Sequence, residues 1–240
     1  MKYIKIIVCA FFIFFISTGC QSKTADEILK EALDKTNNSE SYKMEVRTKV
    51  GSGEYSFQEK TMGTYTKTSS HYVTESYFAG NAMNVEVYTT EKDNKLYQYN
   101  SGDEGASWGY SIYDISEMRE SLLFLNSIIS ITDTVKEVKT DLEGYKKLEL
   151  ILNKKEANEK FSENEEIVGL DFSKDIIVDV YIKDGYISKL ELDFSDILDK
   201  EYKKDIEEYS MNFSYTNYNA IEEIEVPKEI LENAKLEEEK

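Results

Sequence analysis

The stretch IIVDVYIKDGYISKLELDF, residues 176–194, is the clearest guide to how this chain folds. Two strand-like runs, Ile176–Lys183 and Tyr186–Phe194, stand on either side of Asp184-Gly185. This dipeptide suits a type I′ turn, because both central residues of such a turn need a positive φ. The stretch therefore predicts a tight β-hairpin, which is a unit of antiparallel sheet.

The same strand signal recurs through most of the chain. Between Tyr42 and Val50, one residue in two is charged, which indicates a strand with one wet face. Gly, Asn or Asp residues separate most of the further strand-like stretches, so the pattern is typical of an antiparallel meander. These stretches are Tyr55–Lys67, Ser70–Phe78, Met83–Thr90, Lys95–Tyr99, Val135–Lys139, Tyr145–Leu152 and Glu207–Tyr218.

Helices are predicted before, within and after these strands. Thr24 and Glu27 have the spacing of a capping box, and an apolar face follows them at helical spacing. The stretch Ile115–Ile129 is nearly apolar all round in its second half, so we expect that helix to be buried on most sides. Shorter helices are expected at Lys154–Phe161 and after Pro227. Residues 24–235 thus form one α+β domain, and residues 236–240 form a frayed acidic tail.

The N-terminus has the pattern of a secretory signal that ends at a cysteine. Lys2 and Lys5 precede an apolar run that is too short for a comfortable membrane span. Cys20 follows Ser-Thr-Gly, and this ending resembles the lipobox of bacterial lipoproteins, whose thiol is acylated before the signal is removed. Residues 1–19 would then be the signal peptide, and residues 20–23 the acylated cysteine with a short tether. The alternative is a plain secretory signal with an incidental cysteine.

Acylation would place the protein on the outer face of the cytoplasmic membrane. Two acyl chains on Cys20, such as palmitate, hold a protein to a bilayer stably, whereas one chain holds it only marginally. Cys9 would leave with the signal, so the mature chain has no second cysteine for a disulfide. The formal charge is −18, and loss of Lys2 and Lys5 would lower it by two, to −20. Such a charge argues against nucleic acid as a partner.

Sequence motifs for catalysis or metal binding are weak. His71 is the one histidine of the chain, and it lies in a strand-like stretch without a Gly-x-Ser-x-Gly elbow anywhere. Asp171–Asp175 begins like a calcium loop but lacks the glycine and the acidic residue at its later positions. We therefore expect no cofactor, no metal site and no enzyme activity.

Aromatic residues are frequent in the strand-like stretches. Ordinary sheet packing explains them, because aromatic side chains suit strands. The other interpretation is an aromatic-lined groove for an apolar ligand, between a curved sheet and the apolar helix. The candidate lining residues are Tyr72, Tyr88, Tyr97, Trp108, Met118, Leu122, Leu125 and Ile129.

The order of these elements resembles envelope lipoproteins of the LolA/LppX-like superfamily, in particular clostridial and bacillar ones. The resemblance rests on the lipobox, the helix Ala25–Lys35, the tyrosine-rich strands, the hairpin and the closing stretch from Tyr218 to Ile230. It implies a curved half-barrel of about eleven antiparallel strands covered by a few helices. Relatives bind acyl chains or lipoproteins in the cavity between sheet and helices, and others dock on a partner protein.

Two functions are therefore expected. The first is a membrane-anchored, non-catalytic protein that binds a lipid or an acylated molecule in a cavity. The alternative is an envelope interaction or regulatory module with a filled core, which docks on a partner protein. A cavity between the sheet and Ile115–Ile129 would favour the first, and a solid core would favour the second.

Overall fold

A computed structural model gives the fold, and it describes residues 23–101, 107–114, 120–161, 172–198 and 204–236. Cys20 and the signal peptide lie outside these residues, as do Ile115 and Met118. The helices described are α1 (Ala25–Asn37), α2 (Glu120–Ser130), α3 (Lys154–Phe161) and α4 (Lys228–Asn233). The strands described are β1 (Ser41–Gly51), β2 (Phe57–Thr66), β3 (Ser69–Phe78), β4 (Asn81–Lys92), β5 (Lys95–Ser101), β6 (Gly109–Asp114), β7 (Thr132–Val138), β8 (Tyr145–Leu152), β9 (Ile176–Lys183), β10 (Tyr186–Asp193), β11 (Glu208–Thr216) and β12 (Lys235–Leu236).

The described strands form one curved sheet in the order β12-β6-β5-β4-β3-β2-β1-β11-β10-β9-β8-β7. The pairings from β6 through to β7 are antiparallel, and the two-residue β12 adds a parallel pairing at the β6 edge. The sheet is thus two meanders, β1–β6 and β7–β11, joined where β11 returns to β1. The predicted α+β class with a curved antiparallel sheet and a few helices is confirmed.

The hairpin predicted from residues 176–194 is present as β9 and β10. Tyr186 pairs with Lys183, which leaves Asp184 and Gly185 as a two-residue turn. Their φ angles are 52° and 80°, so both lie in the left-handed region that a type I′ turn requires. The local sequence was sufficient for the turn, whereas the register along the strands also depends on an irregularity between Ile187 and Lys189, where the pairing shifts by one residue.

The helices cover one face of the sheet, here called the inner face, which carries Met44 and Val46 of β1. On β8, β9 and β10 the inner residues are almost wholly aliphatic, and they pack with Leu125 and Ile128 of α2 and Ala157 of α3. Burial of this aliphatic surface is the main source of stability, at roughly 25 cal/mol for each Å² of apolar area. The buried inner residues of these three strands are Leu148, Leu150, Leu152, Ile176, Val178, Val180, Ile182, Ile187, Leu190 and Leu192.

Helix α1 begins and docks as its sequence predicts. The Thr24 hydroxyl accepts a hydrogen bond from the Glu27 amide, and the Glu27 carboxylate accepts one from the Thr24 amide, which completes the capping box. Ile28, Leu29 and Ala32 are buried on its apolar face. At its other end the buried Thr36 hydroxyl accepts a hydrogen bond from the Ile187 amide at 3.0 Å. This bond ties α1 to the start of β10.

Several strand boundaries differ from the sequence prediction, and the predicted start of α2 is not tested. Tyr55 belongs to a short 3-10 turn, Gly53–Tyr55, and β2 begins only at Phe57. Helix α2 is described from Glu120, because the residues before it lie outside the described ranges. Leu236 was expected to fray with the tail, but Lys235 and Leu236 pair with Gly109 and Tyr110 of β6. Within the described ranges no helix is long and apolar enough to cross a membrane.

Candidate functional site: a two-sided cavity beneath helix α2

A cavity of about 660 Å³ lies between the inner face of the sheet and α2. Its size falls in the range of small-molecule sites in proteins, roughly 300–1,000 Å³. The helical cover and aliphatic packing lie over β8–β10, whereas the cavity lies over the neighbouring strands. The lining residues are Met44, Val46, Thr48, Val50, Phe57, Glu59, Thr61, Tyr65, Ser70, Tyr72, Thr89, Leu96, Gln98, Phe124, Tyr209, Met211 and Phe213.

One wall of the cavity is apolar and is built by β1, β11 and α2. Alternate residues of a strand point to the same face, so Met44, Val46 and Val50 line it together. From α2, Phe124 reaches the sheet and stacks on Phe213, with ring centroids 5.0 Å apart. This stack joins the helix to the sheet at the boundary between the filled core and the cavity.

The facing wall carries polar side chains from β2, β3, β4 and β5. The Ser70 and Thr89 hydroxyls are 2.6 Å apart across β3 and β4. The Glu59 carboxylate accepts a hydrogen bond from the Ser76 hydroxyl at 3.2 Å. Thr61 and Gln98 are further polar residues here, although Phe57, Tyr65, Tyr72 and Leu96 line the cavity from the same strands. Among the described lining residues, Glu59 carries the formal charge. An amphiphile, with one apolar and one polar part, matches a cavity of this kind.

A row of stacked tyrosines closes one end of the cavity. The Tyr65 ring lies parallel to Tyr42 at 5.3 Å and to Tyr72 at 6.2 Å. The row crosses Gly63, where a Cβ atom would lie 2.5 Å from the Tyr72 Cβ atom and 2.9 Å from the Tyr65 ring. Glycine is therefore the residue that leaves room for this wall. Burial raises the pKa of Tyr65 well above its usual range, so this tyrosine stays protonated and uncharged.

The candidate lining residues that lie on strands are divided between the two faces of the sheet. Tyr72 lines the cavity. Tyr88 and Tyr97 lie on the opposite face, here called the outer face, because their neighbours Thr89, Leu96 and Gln98 point inward. Trp108 precedes β6, and its ring lies 5.9 Å from Tyr88. The alternation was visible in the sequence, but which half of it faced the helices was not.

The predicted helix residues lie in the core beside the cavity. Leu125 is fully buried, while Leu122 and Ile129 are partly buried against the same core cluster. None of the three is a lining residue, whereas their neighbour Phe124 is. Met118 and Cys20 lie outside the described residues. Tyr72 and α2 thus mark the cavity, and its binding residues stay a prediction.

His71 forms a separate cluster on the outer face. Its Nε2 atom lies 2.8 Å from a carboxylate oxygen of Glu86, and its ring stacks on Tyr88 at 4.1 Å. Burial and the nearby Glu86 carboxylate raise the pKa of Tyr88. In the described part of the chain, no three His, Cys, Asp or Glu side chains form a group that could hold a metal ion.

Comparison with known proteins gives a similarity among solved structures and none among sequences. No protein-family profile matches the chain, and no curated protein sequence matches it. Among solved structures, the lipoprotein LppX of Mycobacterium tuberculosis is similar, with a TM-score of 0.43 and 11% sequence identity. That similarity covers 82% of this chain and 96% of the LppX chain. The function proposed below rests on residues of this chain alone.

Proposed function

We propose that this protein is a non-catalytic lipoprotein, anchored through Cys20 to the outer face of the cytoplasmic membrane, that binds an apolar ligand in the cavity beneath α2. The ligand would be a lipid or an acylated molecule. The observation that carries the proposal is the cavity itself: about 660 Å³ remains open between Phe124 and the sheet, next to a tightly packed core. A module that acted through a filled core would not need this space.

The two-sided lining supports an amphiphile rather than a pure hydrocarbon. An acyl chain would lie against Met44, Val46 and Phe213, where it would remove apolar surface from water. A hydroxyl or ester group would lie near Ser70 and Gln98, because a polar group buried without hydrogen bonds is costly. The N-terminal lipobox supports the membrane address independently of the cavity.

Native mass spectrometry of the mildly extracted chain tests this function. We expect co-purified lipid, and we expect a fluorescent hydrophobic probe to bind the delipidated chain with one-to-one stoichiometry. Val46→Trp fills the apolar wall and should abolish probe binding. Arg47→Trp, one residue along β1 and exposed on the outer face, is the matched control and should bind the probe normally.

The contrary result is equally clear. A lipid-free mass, together with no probe binding by the unmodified chain, would refute the cavity function and leave the docking module. Acylation is tested separately by metabolic labelling with a palmitate analogue, which should mark the unmodified chain and not Cys20→Ser.

A further inference from the structure

Among the described residues, the hairpin between β3 and β4 extends past the end of β5 at Ser101, while β2 accompanies β3 as far as Phe78. In the described residues, β4 pairs with β5 only from Glu86, which lies opposite Ser101. The five residues of β4 before Glu86 pair with β3 and, within the described ranges, with no second strand, over a length of about 16 Å at about 3.3 Å for each residue. The 3-10 turn Gly53–Tyr55 lies at the same end of the sheet, since Phe57 pairs with Phe78.

Large apolar side chains are exposed at this end. Tyr55 is 77% exposed, Met83 59%, Phe78 54% and Tyr77 53%. These four residues are here called the apolar tip. Single exposed apolar residues are ordinary on protein surfaces, but several together on one projecting hairpin mark an interaction site.

The hairpin part of the apolar tip, which carries Tyr77, Phe78 and Met83, is also free of charge, whereas Tyr55 follows Glu54. Residues 76–85, SYFAGNAMNV, contain no acidic or basic residue, although 32% of the chain is charged. Glu75 and Glu86 stand at the two ends of this uncharged stretch. Charged side chains are costly in a bilayer, while tyrosine is favoured at its surface. The composition of the stretch thus fits insertion into lipid.

From these observations we propose that the apolar tip inserts into the interfacial region of a lipid bilayer. A second copy of the chain fits less well, because two molecules without the signal segment, each with a net charge of −20, repel one another. Because the rest of the molecule is strongly acidic, its contact with a bilayer requires an uncharged surface. The hairpin of the apolar tip provides such a surface.

The position of the tip relates it to the cavity. Phe57 lines the cavity, and it lies directly opposite Phe78 on the neighbouring strand. Phe78 pairs with Asn81, and Met83 pairs with Ser76, so Phe78 and Met83 share the inner face with Phe57. Phe57, Phe78 and Met83 therefore extend the apolar part of the inner face from the cavity to the exposed tip, although Glu59 and Ser76 lie next to them. The inserted tip would hold the mouth of the cavity near the lipid.

Vesicle flotation tests this proposal with the chain from Lys23 to Lys240, which contains every buried core residue and no acyl anchor. We expect the unmodified chain to float with phosphatidylcholine vesicles, and to float less with vesicles that contain about 30% phosphatidylglycerol, because anionic lipid repels the acidic protein. Phe78→Asp combined with Met83→Asp should reduce the floated fraction at least about tenfold. Met83→Asp alone should give an intermediate loss.

Ile177→Asp is the matched control. Ile177 is 53% exposed on the outer face of β9, so the substitution removes a similar apolar side chain from a different surface and should leave flotation unchanged. Circular dichroism should show that all variants stay folded. The proposal is overturned if the unmodified chain does not float, if the double variant floats equally well, or if Met83→Asp instead dissociates a dimer that does not bind vesicles.

Probe binding in solution separates this proposal from the cavity function. The double variant should bind the hydrophobic probe as the unmodified chain does, because Phe78 and Met83 do not line the cavity. Flotation without probe binding would refute the cavity function and leave tip insertion intact. Probe binding without flotation would refute tip insertion and leave the cavity function intact.

Discussion

The carboxylate of Glu59 faces the cavity from β2, and among the described lining residues it supplies the formal charge. An anionic head group close to it would be repelled, and partial exclusion of water strengthens such repulsion. Glu59→Gln keeps the size of the side chain and removes the charge. We expect this variant to bind palmitate about fivefold more tightly, with binding of the uncharged monopalmitoylglycerol nearly unchanged.

Fluorescent-probe displacement measures both ligands in the same assay. Glu75→Gln is the control, because Glu75 precedes Ser76 on β3 and therefore points to the outer face. The Glu59 carboxylate does not select the head group if Glu59→Gln raises the affinity for palmitate and for monopalmitoylglycerol equally. The same conclusion follows if Glu75→Gln raises the affinity for palmitate.

Thr36 shows the value of a single buried hydroxyl. Thr36 is fully buried, and its hydroxyl accepts a hydrogen bond from the Ile187 amide, which is 151 residues away in the chain. Thr36→Val keeps the volume but leaves that amide without its partner, which should cost about 1–3 kcal/mol of stability. Urea denaturation measures the loss. Lys35→Met, which removes an exposed hydrogen bond to the Asp184 carbonyl, should cost less than about 1 kcal/mol.

At the scale of elements, α2 serves the core and the cavity with adjacent residues. Leu125 is fully buried, so Leu125→Ala should destabilise the protein by about 2–5 kcal/mol. Phe124 is only partly buried and lines open space, so Phe124→Ala should cost less stability and should weaken probe binding more. Thermal unfolding and probe titration of both variants check this reversal. If Leu125→Ala caused the larger loss both of thermal stability and of probe binding, α2 would contribute only to the core.

The elements also show what local sequence could predict. The turn Asp184-Gly185, the capping box at Thr24 and the helix Lys154–Phe161 depend on neighbours in sequence, and each was predicted. Tyr88 and Tyr97 were predicted to line the cavity with Tyr72. The strand register instead places Tyr88 and Tyr97 on the outer face and Tyr72 on the inner face. A strand with mixed residues on both faces does not show which face is covered until its neighbours in the sheet are known.

At the scale of the whole molecule, the C-terminal segment protects one edge of the sheet. Ile230 of α4 is buried, and the Lys235 amide donates a hydrogen bond to the Trp108 carbonyl beside β6. An uncovered strand edge invites pairing with another chain. We expect truncation after Val226 to lower the urea midpoint and to cause self-association, which size-exclusion chromatography with light scattering would detect. Truncation after Leu236 should have neither effect, and association of both truncated chains would exclude edge exposure as the cause.

The sequence by itself determined the period of each strand, the turn of the hairpin, the caps of α1 and the acidic charge, because these depend on residues a few positions apart. Its N-terminal pattern also predicts an acylated cysteine at Cys20. Only the tertiary structure decided that β11 pairs with β1, that the core fills beneath β8–β10, and that a cavity remains beside Phe124. Those features depend on how side chains from distant parts of the chain pack together. No single segment of the sequence encodes the cavity that this packing leaves.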